Sequence, residues 1–257
     1  MKILSLGAGV NSTALLVLKS QGKVDFDVAI FADTGGEYPE TYRYIEEIIK
    51  PFCQKNHIKF EQVKKDNETL YEYSVRTKFI PSRRYGSCRD NFKIQVIKKF
   101  LIKNFPSENI ETIIGFCKGE EKRREGYQCI TSNFSFPLME MGLDRDGCIK
   151  VIAEAGLPIP PKSGCFYCPH QPMKSWINLL KTNPPLYAKA EALEKNGRRY
   201  PELYLPYDYP LELLRKTYEA AQKGNEPAKK EIQKSLLSQM PRSLSCPMCE
   251  LEDNECG

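Results

Sequence analysis

Residues 3–18 limit the possible folds of this chain more than any other segment. They read I-L-S-L-G-A-G-V-N-S-T-A-L-L-V-L, which is an apolar run, then small residues, then a second apolar run. This pattern predicts a buried strand, a tight turn and a buried helix, with Asn11, Ser12 and Thr13 where capping side chains belong. A helix N-terminus behind a glycine turn presents unpaired backbone N–H groups and the positive end of the helix dipole. We therefore expect an anion-binding site at this turn.

Two common phosphate-binding motifs do not fit the turn. It lacks Gly-Lys-Ser/Thr, which excludes a Walker A loop. It contains Gly-x-Gly but not the third glycine of the dinucleotide-binding fingerprint. An ordinary strand–helix turn is the alternative at this point, because glycine turns are common in α/β proteins.

The segments that follow predict a parallel sheet. Further strands are expected at residues 26–32, 58–63 and 111–116, with helices at residues 11–21, 39–53 and 92–101. Strands that alternate with helices indicate right-handed crossovers, and ligands of such sheets bind at the carboxyl ends of the strands. Asp33 and Thr34 follow the second strand, so we expect both at the same edge of the sheet as the first turn.

The pattern changes to helices after residue 170. The remainder reads as several helices up to about residue 238 and then as a polar tail that carries cysteines. We predict two domains: an α/β nucleotide-binding domain at residues 1–170, which includes the cysteine site, and a helical C-terminal extension at residues 171–257.

Composition excludes several classes of protein. No apolar run is long enough to span a bilayer and no signal peptide pattern precedes the first strand, so we expect a cytoplasmic protein without a membrane partner. The formal net charge of +5 permits a polyanionic partner without requiring one. The chain has only two histidines, His57 and His170, which excludes a histidine-rich zinc site.

Ten cysteines in a chain expected in the cytoplasm favour metal or redox chemistry over a disulfide framework. Cys165 and Cys168 form Cys-x-x-Cys-Pro, and Cys88 lies beside Arg89 at the start of a predicted helix, which favours the thiolate. Three soft ligands suit an iron–sulfur cluster better than a closed zinc site, which needs four. The alternatives are a structural zinc completed by another cysteine, such as Cys246, and inert buried thiols. Packing roles are predicted for Cys53, Cys117, Cys129 and Cys148.

The order of these motifs resembles the superfamily of PP-loop ATP pyrophosphatases and phosphoadenosine-phosphosulfate (PAPS) reductases. The usual turn there reads Ser-Gly-Gly-x-Asp-Ser, whereas residues 7–12 read Gly-Ala-Gly-Val-Asn-Ser, so the first serine, the first glycine and the aspartate are replaced. The resemblance covers residues 1–200. It rests on this turn, Phe-Ala-Asp-Thr-Gly at residues 31–35, the basic loop with Cys88 and Lys93, Ile-Gly-Phe at residues 114–116 with Glu121 and Arg123, and Ser-Gly-Cys-Phe-Tyr-Cys-Pro at residues 163–169. The chain looks most like the ATP pyrophosphatases of DNA phosphorothioation systems.

The resemblance implies an adenine nucleotide α-hydrolase-like parallel sheet flanked by helices, with ATP, Mg²⁺ and a 4Fe–4S cluster as ligands. It implies catalytic roles for Ser12, Asp33, Lys93 and Arg123. The residues expected to contact the nucleotide are Gly7, Ala8, Gly9, Val10, Asn11, Ser12, Asp33, Thr34 and Gly115. The expected cluster ligands are Cys88, Cys165 and Cys168.

The resemblance also implies an activity. We expect an ATP-dependent sulfurtransferase that releases AMP and pyrophosphate, adenylates a nucleic-acid acceptor and inserts sulfur supplied by a cysteine desulfurase. DNA is preferred to tRNA as the acceptor, and a homodimer is compatible with the sequence. One alternative is an adenylylsulfate or PAPS reductase that forms sulfite, for which Glu-Cys-Gly at residues 255–257 is a short match. The other is a non-catalytic, zinc-bound module that binds nucleic acid.

Overall fold

The computed structural model describes residues 1–81, 87–106, 109–125, 131, 133–197, 204–206 and 209–237. The predictions that concern Cys129, Cys246 and the Glu-Cys-Gly at residues 255–257 lie outside these residues. The chain divides into two compact units. The first consists of the described residues of Met1–Asn67 and Arg89–Gly164, and the second of those of Glu68–Cys88 and Cys165–Gly257.

A five-stranded parallel sheet forms the centre of the first unit. Its strands are β1 (Lys2–Leu6), β2 (Val28–Asp33), β3 (Lys59–Lys64), β4 (Glu111–Ile114) and β5 (Asn133–Ser135). Their order is β3-β2-β1-β4-β5, and every neighbouring pair is parallel. The predicted α/β fold is confirmed, and the four strands expected from the sequence occur with small shifts at their ends.

The helices of the described residues are α1 (Val10–Ser20), α2 (Pro39–Tyr44), α3 (Lys50–Lys55), α4 (Leu70–Thr77), α5 (Ser87–Arg89), α6 (Gln95–Asn104), α7 (Glu121–Glu125), α8 (Pro137–Glu140), α9 (Arg145–Glu154), α10 (Met173–Thr182), α11 (Pro184–Asn196), α12 (Leu211–Gln222) and α13 (Glu226–Leu237). π-Helical turns join α2 to α3 and α5 to α6. A local signal marks the start of α9: the Asp144 side chain accepts a hydrogen bond from the Gly147 N–H.

Helices cover both faces of the sheet. Leu4 and Leu6 of β1 belong to a hydrophobic cluster that also contains side chains of α1 and α9. Ile3, on the opposite face of the same strand, belongs to a second cluster with Ile97 and Leu101 of α6. Successive side chains of a strand alternate between faces, so a strand that is buried on both faces is apolar along its length. This explains the continuous apolar runs of β1 and β2.

The parallel arrangement brings three loops to one edge of the sheet. Leu6 at the end of β1 pairs with Phe31 of β2, and Ser5 pairs with Ile114 at the end of β4. The segments that leave these three strands therefore start beside one another. This is the edge at which ligands of parallel sheets bind.

The second unit is helical. Helix α10 contacts α11, α12 and α13, and α4 contacts α11. Trp176 and Tyr187 are fully buried. The buried carboxylate of Glu194 accepts hydrogen bonds from the N–H groups of Leu205 and Leu211, each at 2.8 Å. The predicted helical C-terminal region is confirmed.

Among the helices of the described residues, none combines the length and the apolar character needed to cross a membrane.

Candidate functional site

The turn after β1 closes around the Ser12 side chain. The N–H groups of Gly7 and Gly9 both donate to Ser12 Oγ at 3.3 Å, and the Ser12 hydroxyl donates to the Gly9 carbonyl at 3.2 Å. Ala8 between them has φ +53°, a left-handed conformation that favours glycine. Two backbone donors thus converge on one oxygen atom at the start of a helix. Backbone N–H groups beside a helix N-terminus are suited to bind a phosphate.

Gly115, directly after β4, touches the start of α1. A Cβ atom at this residue would lie 3.3 Å from the Ser12 backbone nitrogen and 3.5 Å from Asn11 Cβ. The Gly115 carbonyl accepts a hydrogen bond from Asn11 Nδ2 at 2.9 Å. The absence of a side chain therefore allows the end of β4 and the start of α1 to pack directly together.

Glu120, which is absent from the predicted site, is the last residue of the loop after β4 and forms hydrogen bonds with several groups around it. Its Oε2 accepts hydrogen bonds from Asn11 Nδ2 and the Cys117 N–H, each at 3.0 Å. Its Oε1 pairs with Arg123 Nη1, and the Arg123 guanidinium lies 4.5 Å from the centre of the Phe116 ring. Burial and the Glu120 carboxylate raise the pKa of the Cys117 thiol to about 11. Cys117 is therefore a neutral thiol at physiological pH.

Three hydrogen bonds orient Asp33 at the end of β2. Its Oδ1 accepts from the Gly35 N–H at 2.8 Å and from the Tyr42 hydroxyl at 2.7 Å. Its Oδ2 accepts from Gln62 Nε2 at 3.0 Å. Burial and the Asp33 carboxylate raise the pKa of Tyr42, so this hydroxyl stays protonated and donates. Thr34, the next residue, is buried.

Lys93 forms an ion pair with Glu37, which follows β2. Lys93 Nζ lies 3.6 Å from Glu37 Oε1, and the two side chains are 42% and 2% exposed. A buried carboxylate is costly without a cation nearby, so the pair holds the Lys93 ammonium close to the end of β2. Glu37 is missing from the predicted site, because the only feature of the sequence that indicates a role for it is its position shortly after Asp-Thr-Gly-Gly.

The segment that precedes Cys165 also contacts these loops. The Gly164 carbonyl accepts a hydrogen bond from the Tyr38 N–H at 3.2 Å. A Cβ atom at Gly9 would lie 2.9 Å from Ser163 Oγ, so the serine packs against the turn between β1 and α1. Ser163 joins Glu37 and Glu120 as a candidate site residue that the sequence analysis missed.

The three cysteines predicted to bind metal lie in the second unit. Cys165 and Cys168 share one turn, in which the Cys168 N–H donates to the Cys165 carbonyl at 3.0 Å. Cys88 lies in α5 at the start of a helical run, as predicted. Among the described residues, no three His, Cys, Asp or Glu side chains are close enough together to hold a metal ion. The three thiols fit the chemistry of a 4Fe–4S cluster, and their joint ligation of one stays a prediction.

The predicted nucleotide-site residues all lie in the first unit. The loops after β1, β2 and β4 and helix α7 carry Gly7, Ala8, Gly9, Val10, Asn11, Ser12, Asp33, Thr34, Gly115 and Arg123. Lys93 comes from the turn before α6 and is joined to the loop after β2 through Glu37. Binding of a nucleotide by these residues stays a prediction, and the arrangement supplies backbone donors and two cations for a polyphosphate.

Comparisons with known proteins identify the family. Residues 2–143 match the phosphoadenosine phosphosulfate reductase domain. Uncharacterized protein MJ0066 of Methanocaldococcus jannaschii is 26% identical over 194 residues, an alignment that covers 70% of this chain and only 38% of that relative. The solved structure of the U34-tRNA thiolase NcsA from Methanococcus maripaludis with its [4Fe-4S] cluster has a TM-score of 0.43 and 14% identity, over 77% of this chain and 72% of that chain.

The match to the domain spans more than half of the 257 residues and confirms the resemblance found in the sequence. It includes β1 to β5 and the loops that carry the predicted nucleotide-site residues. The chain belongs to the phosphoadenosine phosphosulfate reductase domain family.

Proposed function

We propose that this protein is an ATP-dependent sulfurtransferase that cleaves ATP to AMP and pyrophosphate while it activates an oxygen of a nucleic acid. The convergence of two backbone N–H groups on Ser12 Oγ, at the start of a helix, carries the proposal. The cations of Lys93 and Arg123 add to it, because Lys93 pairs with Glu37 of the loop after β2 and Arg123 pairs with Glu120, three residues before it. Backbone donors together with cations are the groups that stabilise a polyphosphate.

In the first half of the reaction, an acceptor oxygen attacks the α-phosphorus of ATP. A bond forms between this oxygen and phosphorus, the α–β anhydride bond breaks, and pyrophosphate leaves with the electron pair. The turn at residues 7–12 binds the β- and γ-phosphates with Mg²⁺, and Lys93 and Arg123 stabilise the charge that develops on the pyrophosphate. The contribution of the protein is positioning and charge stabilisation.

In the second half, hydrosulfide attacks the adenylated centre, a bond to sulfur forms, and AMP leaves with the original oxygen. The sulfur originates as a persulfide on a cysteine desulfurase, and reducing thiols convert this persulfide to hydrosulfide. We assign Cys88, Cys165 and Cys168 as ligands of a 4Fe–4S cluster, which when bound by three thiolates has one iron able to carry hydrosulfide. A DNA backbone phosphate is the first candidate acceptor and a tRNA base is the second.

The products formed from ATP test this proposal. Purified protein is incubated with α-labelled ATP, sulfide and either DNA or unmodified tRNA, and AMP and pyrophosphate are quantified. We expect equal amounts of both products, formed only when the acceptor is present. In parallel, adenylylsulfate and PAPS are supplied with a dithiol reductant and sulfite is measured. Sulfite without any requirement for ATP would identify a reductase instead, and ATP binding without pyrophosphate release on any acceptor would contradict the proposal.

Gly115→Ala is expected to weaken ATP binding about 10-fold, which corresponds to about 1.4 kcal/mol. The added Cβ would lie 3.3 Å from the Ser12 backbone nitrogen, so the start of α1 must move. Its N–H groups then no longer point at the phosphate. Isothermal titration calorimetry measures the Kd for ATP. Gly156→Ala is the control: φ is +74° and no atom lies within 4 Å, so backbone strain lowers Tm while the Kd stays unchanged. An unchanged Kd in Gly115→Ala would show that the turn tolerates the side chain.

A further inference from the structure

Asn11 occupies a position that requires a hydrogen-bond donor. Its Nδ2 donates to the Gly115 carbonyl at 2.9 Å and to Glu120 Oε2 at 3.0 Å. Both partners are acceptors, and one of them is a carboxylate. An aspartate at residue 11 would present oxygen to both and would place two carboxylates in direct contact. An amide at this position of the turn is therefore matched to Glu120.

Glu120 uses its two oxygens for two different parts of the site. Oε2 accepts hydrogen bonds from the Asn11 amide and the Cys117 N–H, and so joins the start of α1 to the loop after β4. Oε1 takes the Arg123 guanidinium, which also packs on the Phe116 ring. The carboxylate is only 22% exposed, so these charge-assisted hydrogen bonds are stronger than those of a fully solvated glutamate.

We infer that Glu120 is a positioning residue that sets the phosphate-binding turn through Asn11 and the orientation of Arg123 through its second oxygen. The inference rests on the proposed function, because it assigns the turn to ATP binding and Arg123 to the departing pyrophosphate. Glu120 touches neither the nucleotide nor the acceptor. Glu120 fixes the distance between the turn at residues 7–12 and the Arg123 guanidinium, which belong to different segments of the chain.

A double-mutant cycle tests the coupling. Asn11→Asp places two carboxylates together and is expected to raise the Kd and KM for ATP about 30-fold. Glu120→Gln keeps the shape but removes the charge that holds Arg123, and is expected to lower kcat about 10-fold with a smaller change in KM. In the double variant, the amide introduced at residue 120 can donate to the carboxylate introduced at residue 11, but that carboxylate still faces the Gly115 carbonyl and the Cys117 N–H loses its acceptor. We therefore expect partial rescue, with a Kd for ATP about 10-fold above wild type and clearly below that of Asn11→Asp.

Glu125→Gln is the matched control, because it removes the same charge from an exposed position of the neighbouring helix α7. Its Kd and kcat should equal those of wild type. Thermal denaturation of all five proteins separates loss of stability from loss of binding. If Asn11→Asp lowers Tm, the double variant should have a higher Tm than Asn11→Asp.

A double variant as impaired as the two single changes combined would overturn the inference. Unchanged kcat in Glu120→Gln would overturn the part that concerns Arg123. Failure of the proposed function is distinguishable, because wild-type protein would then bind ATP without turnover while the coupling between Asn11 and Glu120 persists in the Kd values. Wild-type protein that does not bind ATP would overturn both proposals.

Discussion

Replacing Lys93 with alanine is expected to lower kcat for pyrophosphate release at least 100-fold, with a smaller effect on the KM for ATP. A positioned cation or donor that acts on charge developing in the transition state is typically worth about 10² to 10³ in rate. The ammonium of Lys93 is held 3.6 Å from the buried carboxylate of Glu37, so it needs little reorganisation before the reaction. Initial rates of pyrophosphate release at saturating ATP and acceptor measure the effect.

Three further variants interpret this result. Lys99→Ala removes the same charge from α6 and should leave kcat unchanged. Glu37→Gln keeps the lysine but weakens the ion pair, so a loss of about 10-fold in kcat is expected. The double variant of Lys93→Ala and Glu37→Gln removes both charges, so no buried carboxylate is left without its cation. A loss of kcat that persists in this variant is catalytic, whereas a loss that disappears comes from reduced stability. Wild-type kcat in Lys93→Ala would show that the ion pair is structural.

Cys165→Ala is expected to remove bound iron and acid-labile sulfide almost completely. Wild-type protein purified without oxygen should contain about four irons per chain, the content of one 4Fe–4S cluster. A ligand lost from a three-thiolate site leaves two protein bonds, which are too few to retain the cluster. Sulfur transfer should disappear while ATP binding stays within about 3-fold of wild type, because the phosphate-binding turn lies in the first unit.

Cys53→Ala is the matched control for this experiment. Cys53 is a buried thiol of the hydrophobic core, and burial raises its pKa to about 12. Its replacement should leave the iron content unchanged. Zinc without sulfide in the wild-type protein would favour a structural metal and the binding-module alternative. Full iron content in Cys165→Ala would show that this cysteine is not a ligand.

The turn between β1 and α1 could be predicted because its signals are local. An apolar run specifies β1, small residues at positions 7–9 indicate a tight turn, and the Ser12 hydroxyl accepts hydrogen bonds from Gly7 and Gly9, which are five and three residues away. The same reasoning holds for the cap of α9 by Asp144. Such features depend on backbone sterics and on hydrogen bonds within one turn, which neighbouring residues decide.

The partners of the predicted cations could not be predicted in this way. Glu37 and Glu120 look in the sequence like any solvated glutamate, and the charge run around Arg123 reads equally well as a surface loop. Their roles depend on burial and on which loops meet at the edge of the sheet. Asn11 and Glu120, for example, are 109 residues apart in the chain.

Local sequence signals were sufficient for the alternation of strands and helices, the turn between β1 and α1 and the cysteine motif, because periodicity, turn chemistry and capping act over a few residues. Packing of the whole chain brings Glu37 to Lys93 and Glu120 to Asn11. It also places Glu68–Cys88 in the second unit, whereas the sequence predicts a single boundary near residue 170. There the Asn196 amide donates to the Val75 carbonyl at 2.8 Å across 121 residues of chain. Contacts over such separations form only when the chain packs, and no local pattern encodes them.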